Sequence, residues 1–366
     1  MMKNMRTLVI FTLGVIAGVG VSVTGYKLHK HININNFTLK AHHISDHMAS
    51  ALDRAFGGRV KAARLEHVVA PAAYFPPGAI WTQDISHAPL DPQSSAMINW
   101  LAEAGGWGNN NKMQVDFGIQ VLQADANTPF APFHKGSEFN AADSDVVSTF
   151  PLPAGSGTQG SCEGDCQLIV VDRSHGKLYE TFMAHVAENA VTANFVAVWD
   201  LNRIYPPSGR GEQCTSADSA GFPIAPLLFN ADEIATGSIN HAIRFILPNQ
   251  RMRAHVYVHP ATHAGAPRGP VPAPPIGARF RLKASYDVSQ LMPEAQVVAR
   301  AMQKYGMFLA DGGEIALSAQ SDADTKAKYA DLDFDSHSLR SLKVTDFEIV
   351  DMGTPIHLTY NCVRNP

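Results

Sequence analysis

The chain has 366 residues, of which 45% are hydrophobic and 17% charged, with a formal net charge of −4 and an isoelectric point near 6.5. That composition excludes a disordered chain and allows a sizeable core. It also excludes the strongly basic field that holds nucleic acid, so no nucleic-acid partner is expected and any anionic ligand must be met locally.

In chain order, Lys3 and Arg6 precede Thr7 to Val23, 17 residues without a charge, and Lys27 and Lys30 follow. Residues 1–30 therefore read as an export signal or an uncleaved N-terminal membrane anchor through residues 7–23, and either one delivers the chain outside the cytoplasm. Residues 31–65 read as a helical lead-in, with Ile44, Met48, Leu52 and Phe56 four apart. Residues 66–366 read as a single β-rich domain. From Val68 to Gln120 the chain is rich in proline, glycine and tryptophan, with Trp81, Trp100 and Trp107 suited to an ordered wrap around a core.

Four cysteines agree with an oxidising compartment. Cys162 and Cys166 suit a bridge across a tight turn, leaving Cys214 for Cys362. Four cysteines allow three connectivities, and a lone C-x₃-C is weak support for zinc.

Short runs at Val146–Phe150, Gln167–Val171, Lys177–Phe182 and Asn194–Val198 predict strands, with a hairpin turn at Asp172–Gly176. Their regular spacing predicts an antiparallel β-sandwich of jelly-roll type with a few short helices. Asn230 and Glu233 have the spacing of a capping box, with Gly237 able to end a short helix. Pro293 opens a clearer helix that Gly306 stops. Strand character returns at Phe347–Val350 and Ile356–Tyr360.

Chemistry-bearing side chains concentrate between Asn240 and Asp311. On a strand Arg279, Arg281 and Lys283 share one face, and so do His255, Tyr257 and His259. A solvated outer face is the plainer reading of the basic row; a ligand-facing row is the functional one. His255, His259 and His263 are four apart, but on a strand that is about 13 Å, too far for one coordination shell, so neither metal nor other cofactor is expected. His241 suits proton transfer near neutrality. Asp200 and Asp311 each close an apolar run, a setting that raises a carboxyl pKa, although Asp311 before two glycines is also a common turn. The segment Thr215–Gly221 holds Asp218 but not the G-x-S-x-G of a nucleophile elbow, which argues against a serine hydrolase.

The runs Trp199–Leu201, Thr215–Ile224, Asn240–Phe245, Ile276–Ala284 and Lys304–Met307, with Asp311 after them, resemble a group of exported bacterial proteins mostly described as hypothetical. The likeness covers about residues 145–350. It implies an extracytoplasmic β-rich domain and no particular activity.

The residues themselves support a carbohydrate-active protein, a lyase or glycoside hydrolase acting on an acidic or mixed glycan. His241, Asp218, Tyr305 and Asp311 are the catalytic candidates. Arg279, Arg281, Lys283, His259, His263 and Tyr257 are the candidates for holding substrate. In a hydrolase Asp218 and Asp311 would form the carboxylate pair. A non-catalytic cell-surface glycan-binding module and a structural envelope protein are the alternatives. The site residues are expected to converge on one concave, exposed surface, and the Trp81–Trp107 wrap is the next place to look.

Overall fold

A computed structural model describes residues 68–156, 164–351 and 353–365. The export segment and the helical lead-in expected from the sequence lie outside them. The described residues belong to one compact unit. Among them no helix is long and apolar enough to cross a membrane.

Nine strands come first: β1 (Val115–Ile119), β2 (Leu122–Ala124), β3 (Phe130–Lys135), β4 (Thr149–Pro151), β5 (Ile169–Asp172), β6 (Lys177–Phe182), β7 (His185–Ala187), β8 (Ala190–Ala193) and β9 (Phe195–Asp200). Then come β10 (Gly211–Glu212), β11 (Ile243–Leu247), β12 (Val256–Tyr257), β13 (Arg279–Leu282) and β14 (Met307–Gly312). The last are β15 (Leu317–Gln320), β16 (Phe347–Ile349), β17 (Ile356–His357) and β18 (Val363–Arg364). The chain is β-rich with few helices, as its short β-branched runs predict.

The sheets are mixed, which departs from the antiparallel expectation. A six-stranded sheet has the order β1-β15-β11-β14-β13-β16, with β1 parallel to β15 and β11 parallel to β14. Two four-stranded sheets, β2-β5-β6-β9 and β4-β3-β8-β7, carry one parallel pair each. The physical reason is the helix Pro293–Lys304, which lies between β13 and β14: it returns the chain so that β14 can pair with β11 in parallel and with β13 in antiparallel.

The two faces of the six-stranded sheet differ. Registers Arg244↔Phe308 and Arg279↔Phe308 set these three side chains abreast on one face. On the opposite face Phe245, Phe280 and Phe347 surround Trp107, which is fully buried and donates its indole N–H to the Leu342 carbonyl at 3.0 Å. Trp107 is therefore a core residue of the wrap. The first face is covered by the strap before residue 90, where Trp81 meets Phe308 and Phe222 edge to face.

Arg279 and Arg281 share a face as strand alternation requires, but it is a buried one: they are 3% and 8% exposed. The strap lacks regular structure, so its carbonyls need donors from elsewhere. Arg279 donates to Gln83 O at 3.0 Å and Tyr305 O at 2.9 Å, and its guanidinium lies 4.6 Å from the centre of the Phe308 ring. Arg281 donates to Ile85 O and to Ala88 O, and pairs with Glu348 at 2.7 Å. Lys283 reaches the Thr345 carbonyl at 2.7 Å. The basic row is a clamp for backbone, where the ligand-facing reading expected an exposed surface.

Among the described residues no cysteine is free. Cys214 and Cys362 form the expected long-range bridge, and Cys166 is disulfide-bonded; its expected partner Cys162 lies outside the described residues.

Two stability outcomes follow. Arg281→Met leaves two strap carbonyls and Glu348 without their donor, so unfolding free energy should fall by about 2–4 kcal/mol, read from the urea midpoint. Replacing Cys214 and Cys362 by Ala opens a loop of 148 residues and should cost about 5 kcal/mol on the chain-entropy account, seen as a lower midpoint; reduction of the native protein, which also opens the Cys166 bridge, should lower the midpoint at least as far.

Candidate functional site: a cleft beneath the N-terminal strap

The expected site residues fall into separate hydrogen-bonded groups. Asp218 is buried and accepts two bonds from Arg244, at 3.0 and 2.7 Å. Asp311 stands 3.8 Å from the same guanidinium, accepts the Gly312 N–H at 2.7 Å and lies near the Ser219 N–H. Arg244, which donates also to Ser318 Oγ at 2.7 Å, is thus shared by two carboxylates. Burial pushes the Asp218 carboxyl up to about 7, with Arg244 opposing and Asp311 adding to the rise. Asp165 stands in the same fields: burial raises it, Asp311 adds to this and Arg244 opposes. The expected pair Asp218 and Asp311 is brought together, but around an arginine that sequence reasoning passed over.

A second group gathers on Glu212. Tyr257 donates its hydroxyl to Glu212 Oε2 at 2.6 Å, and His259 Nε2 meets Oε1. Tyr257 is fully buried while His259 is half-buried. His255 does not join them, because its φ of 59° takes it out of the extended backbone that alternation assumed. His263 is buried beside Tyr360, with Nδ1 accepting from Gly265 N at 3.0 Å; burial holds its pKa down, which keeps the ring neutral. Tyr305 is 7% exposed and contributes its carbonyl to Arg279. Among the described residues no three His, Cys, Asp or Glu side chains are placed to hold a metal ion.

Of the catalytic candidates, His241 lines a well-formed cleft. The cleft, of about 160 Å³, is bounded by Ala70–Phe75, Ala79, Trp81 and Thr82 of the strap on one side and by Pro226, Leu228, Asn230, Glu233, Ser238 and Asn240 on the other. The sequence builds it locally. Asn230 accepts the Glu233 N–H at 3.1 Å and Glu233 Oε2 accepts the Asn230 N–H at 3.0 Å, the capping box that starts the helix Ala231–Thr236. Gly237 ends that helix with φ of 81°, a left-handed cap open to glycine, and the chain turns back so that His241 faces Glu233. The Ala242 N–H then donates to Trp81 O at 2.7 Å and fixes the strap over the cleft.

The protonation of His241 follows from its partners. Nδ1 lies 2.8 Å from the Ala242 carbonyl and Nε2 lies 3.1 Å from Glu233 Oε1. Both partners accept, so both ring nitrogens must carry hydrogen and the ring is an imidazolium. Burial alone would lower its pKa; the Glu233 carboxylate and the two acceptors outweigh that, and the net shift is upward. Tyr74, across the cleft, is held protonated by burial, with Arg173 opposing and Glu233 and Glu180 adding to the rise. Nearby in the core, Glu180 is fully buried: it accepts from Trp199 Nε1 at 3.0 Å and from the Ile224 and Ala225 N–H groups at 2.8 and 2.9 Å. Burial pushes it up to about 7, those three donors opposing.

The cleft therefore offers aromatic and aliphatic walls, amides and a hydroxyl from Asn230, Asn240 and Ser238, and an ion pair whose bonds are already made. It offers no free imidazole lone pair for proton abstraction. The legible signal in the sequence was the capping box followed eight residues on by a histidine; the strap wall carried none.

A histidine with a raised folded pKa stabilises fully below its unfolded pKa of roughly 6.5 and loses that contribution as pH rises through the folded value. Glu233→Gln keeps the helix cap but removes the charge, so its stability deficit against wild type should be largest near roughly pH 5.5 and shrink above neutrality. The His241 ring resonances followed by NMR should titrate above the usual range in wild type and fall in the variant. No protein-family model, no curated protein and no solved structure matches this chain.

Proposed function

We propose that the chain is an extracytoplasmic glycan-binding protein whose cleft takes one sugar ring or a chain end. The observation that carries this reading is the lining of the cleft: Tyr74, Phe75 and Trp81 give it apolar walls against which a pyranose ring can pack, while Asn230, Asn240 and Ser238 supply groups for its hydroxyls. At about 160 Å³ the cleft is smaller than the roughly 300 Å³ at which drug-sized pockets begin, which favours a single ring over a run of a polymer. The charge inside it is balanced between His241 and Glu233, so a neutral sugar suits it better than a uronate. The Cys214–Cys362 bridge supports an oxidising compartment and hence export.

Binding is favoured over cleavage because the groups that cleavage would use are committed. His241 donates from both nitrogens, and Asp218 is held by Arg244. One specific observation keeps a second reading alive. Among the described residues His259 Nδ1 has no hydrogen-bond partner, while its other nitrogen is oriented by Glu212. An imidazole so held can accept a proton, and a lyase acting on an acidic glycan would use it in that way.

Calorimetric titration of the folded chain with a panel of neutral and uronic oligosaccharides tests both readings when the same mixtures are followed for unsaturated products and reducing ends. A neutral sugar should bind without turnover. Asn240→Trp, which fills the cleft from an exposed position, should abolish that binding with the melting temperature unchanged within a few degrees. Binding that survives Asn240→Trp would remove the cleft from consideration, and product formation lost in His259→Gln would replace binding by cleavage.

A further inference from the structure

A second and roomier hollow, of about 290 Å³, lies away from the cleft's lining residues. Its floor is apolar and buried, formed by Met97, Val258, Ala278 and Ile349. Two opposite charges stand on its wall. Arg253 comes from the segment before β12 and Asp91 from the turn that leads into the helix Ser94–Glu103.

Both charged groups are fixed in place and incompletely satisfied. Arg253 is anchored by its own N–H to Pro274 O at 2.9 Å and by Nε to Ala273 O at 3.0 Å. Its two terminal nitrogens have no partner among the described residues. Asp91 is anchored by its N–H to Ile349 O at 2.9 Å, its carbonyl receives the Ser94 N–H at 2.9 Å, and Oδ1 receives the Gln93 N–H at 2.7 Å. Its Oδ2 likewise has no partner among the described residues. Burial depresses the Arg253 pKa and the field of Asp91 opposes this. Among the described residues no ion pair joins them.

We infer that this hollow is a binding site for a free α-amino acid with an apolar side chain, its carboxylate on the terminal nitrogens of Arg253, its ammonium on Asp91 Oδ2 and its side chain on the Met97, Val258 and Ile349 floor. A planar guanidinium with both terminal nitrogens open accepts a carboxylate in two parallel bonds. A lone anion would gain Arg253 but be repelled by Asp91, and a lone cation the reverse. A zwitterion satisfies both groups at once, and the volume leaves room for a side chain of leucine size. This site is independent of the cleft beneath the strap and stands whether or not that cleft binds sugar.

The test is calorimetric titration of the folded chain with L-leucine, glycine, 4-methylpentanoate and 3-methylbutylamine, which separate the zwitterion, the apolar body and each single charge. L-Leucine should bind at least roughly tenfold more tightly than each of the other three, the loss expected when one charged hydrogen bond or the apolar contact is missing. Asp91→Asn should bring leucine down to the level of 4-methylpentanoate while leaving that acid bound. Arg253→Gln should bring it down to the level of 3-methylbutylamine, and Arg253→Lys, which keeps the charge and serves if the glutamine variant unfolds, should weaken leucine by less. Equal binding of leucine and 4-methylpentanoate would make this a simple anion site and overturn the inference. So would no binding of leucine, or binding unchanged in Asp91→Asn and in both Arg253 variants.

Discussion

The structure depends on two buried guanidinium groups that bond to backbone. The strap from Ala70 to Ala88 carries only one short turn of 3₁₀ helix, so most of its carbonyls find no partner in secondary structure of their own. Arg279 and Arg281 reach out from adjacent positions of one strand face and satisfy Gln83, Ile85 and Ala88, while the Ile85 N–H closes on Lys304 O at 2.8 Å. Burial pushes the Arg279 guanidinium down to about 9, the field of Asp84 opposing, yet that still leaves it charged at neutral pH. Carbonyl dipoles and the face of Phe308 take the place of a carboxylate. This clamp helps to hold the strap over the sheet, and the strap forms one wall of the cleft through Tyr74, Phe75 and Trp81.

Local features were legible in the sequence where the physics is local. The capping box of Asn230 and Glu233, the glycine that ends its helix and the helix from Pro293 to Lys304 all form as their spacing predicts, since each is decided within a few residues. Alternation rightly set Arg279 beside Arg281. It could not say what lay opposite, because the groups that take up those charges are main-chain carbonyls 196 residues away in the chain, and a carbonyl has no residue type to read. The expected exposed basic face and the observed buried clamp have the same sequence pattern.

The same limit explains the candidate site. Asp218 and Asp311 were paired from sequence as the two carboxylates of a hydrolase, and they do come near one another, but through Arg244, which was not among the candidate site residues. Their meeting needs the parallel pairing of β11 with β14, and mixed pairing was not expected from strand spacing alone. Tyr257 and His259 were placed on one face and both reach Glu212, which sits in a two-residue strand too short to be seen in a propensity pattern.

What distinguishes the two hollows is how their charges are spent. In the cleft His241 and Glu233 face each other, and each of their polar atoms already has a partner: Glu233 Oε2 caps the helix, Oε1 holds the imidazolium, and the second ring N–H is taken by Ala242. A ligand entering there gains contact with walls and amides but finds no charge to neutralise, so its selection rests on shape and hydroxyl geometry. In the second hollow Arg253 and Asp91 are pinned from behind by backbone bonds and kept apart, so their outward atoms retain their full capacity for a ligand. Such a pair selects against any ligand that supplies one charge without the other. The fold thus places a neutral surface and a polarised one on the same scaffold, and the difference comes from which side-chain atoms the backbone has already claimed.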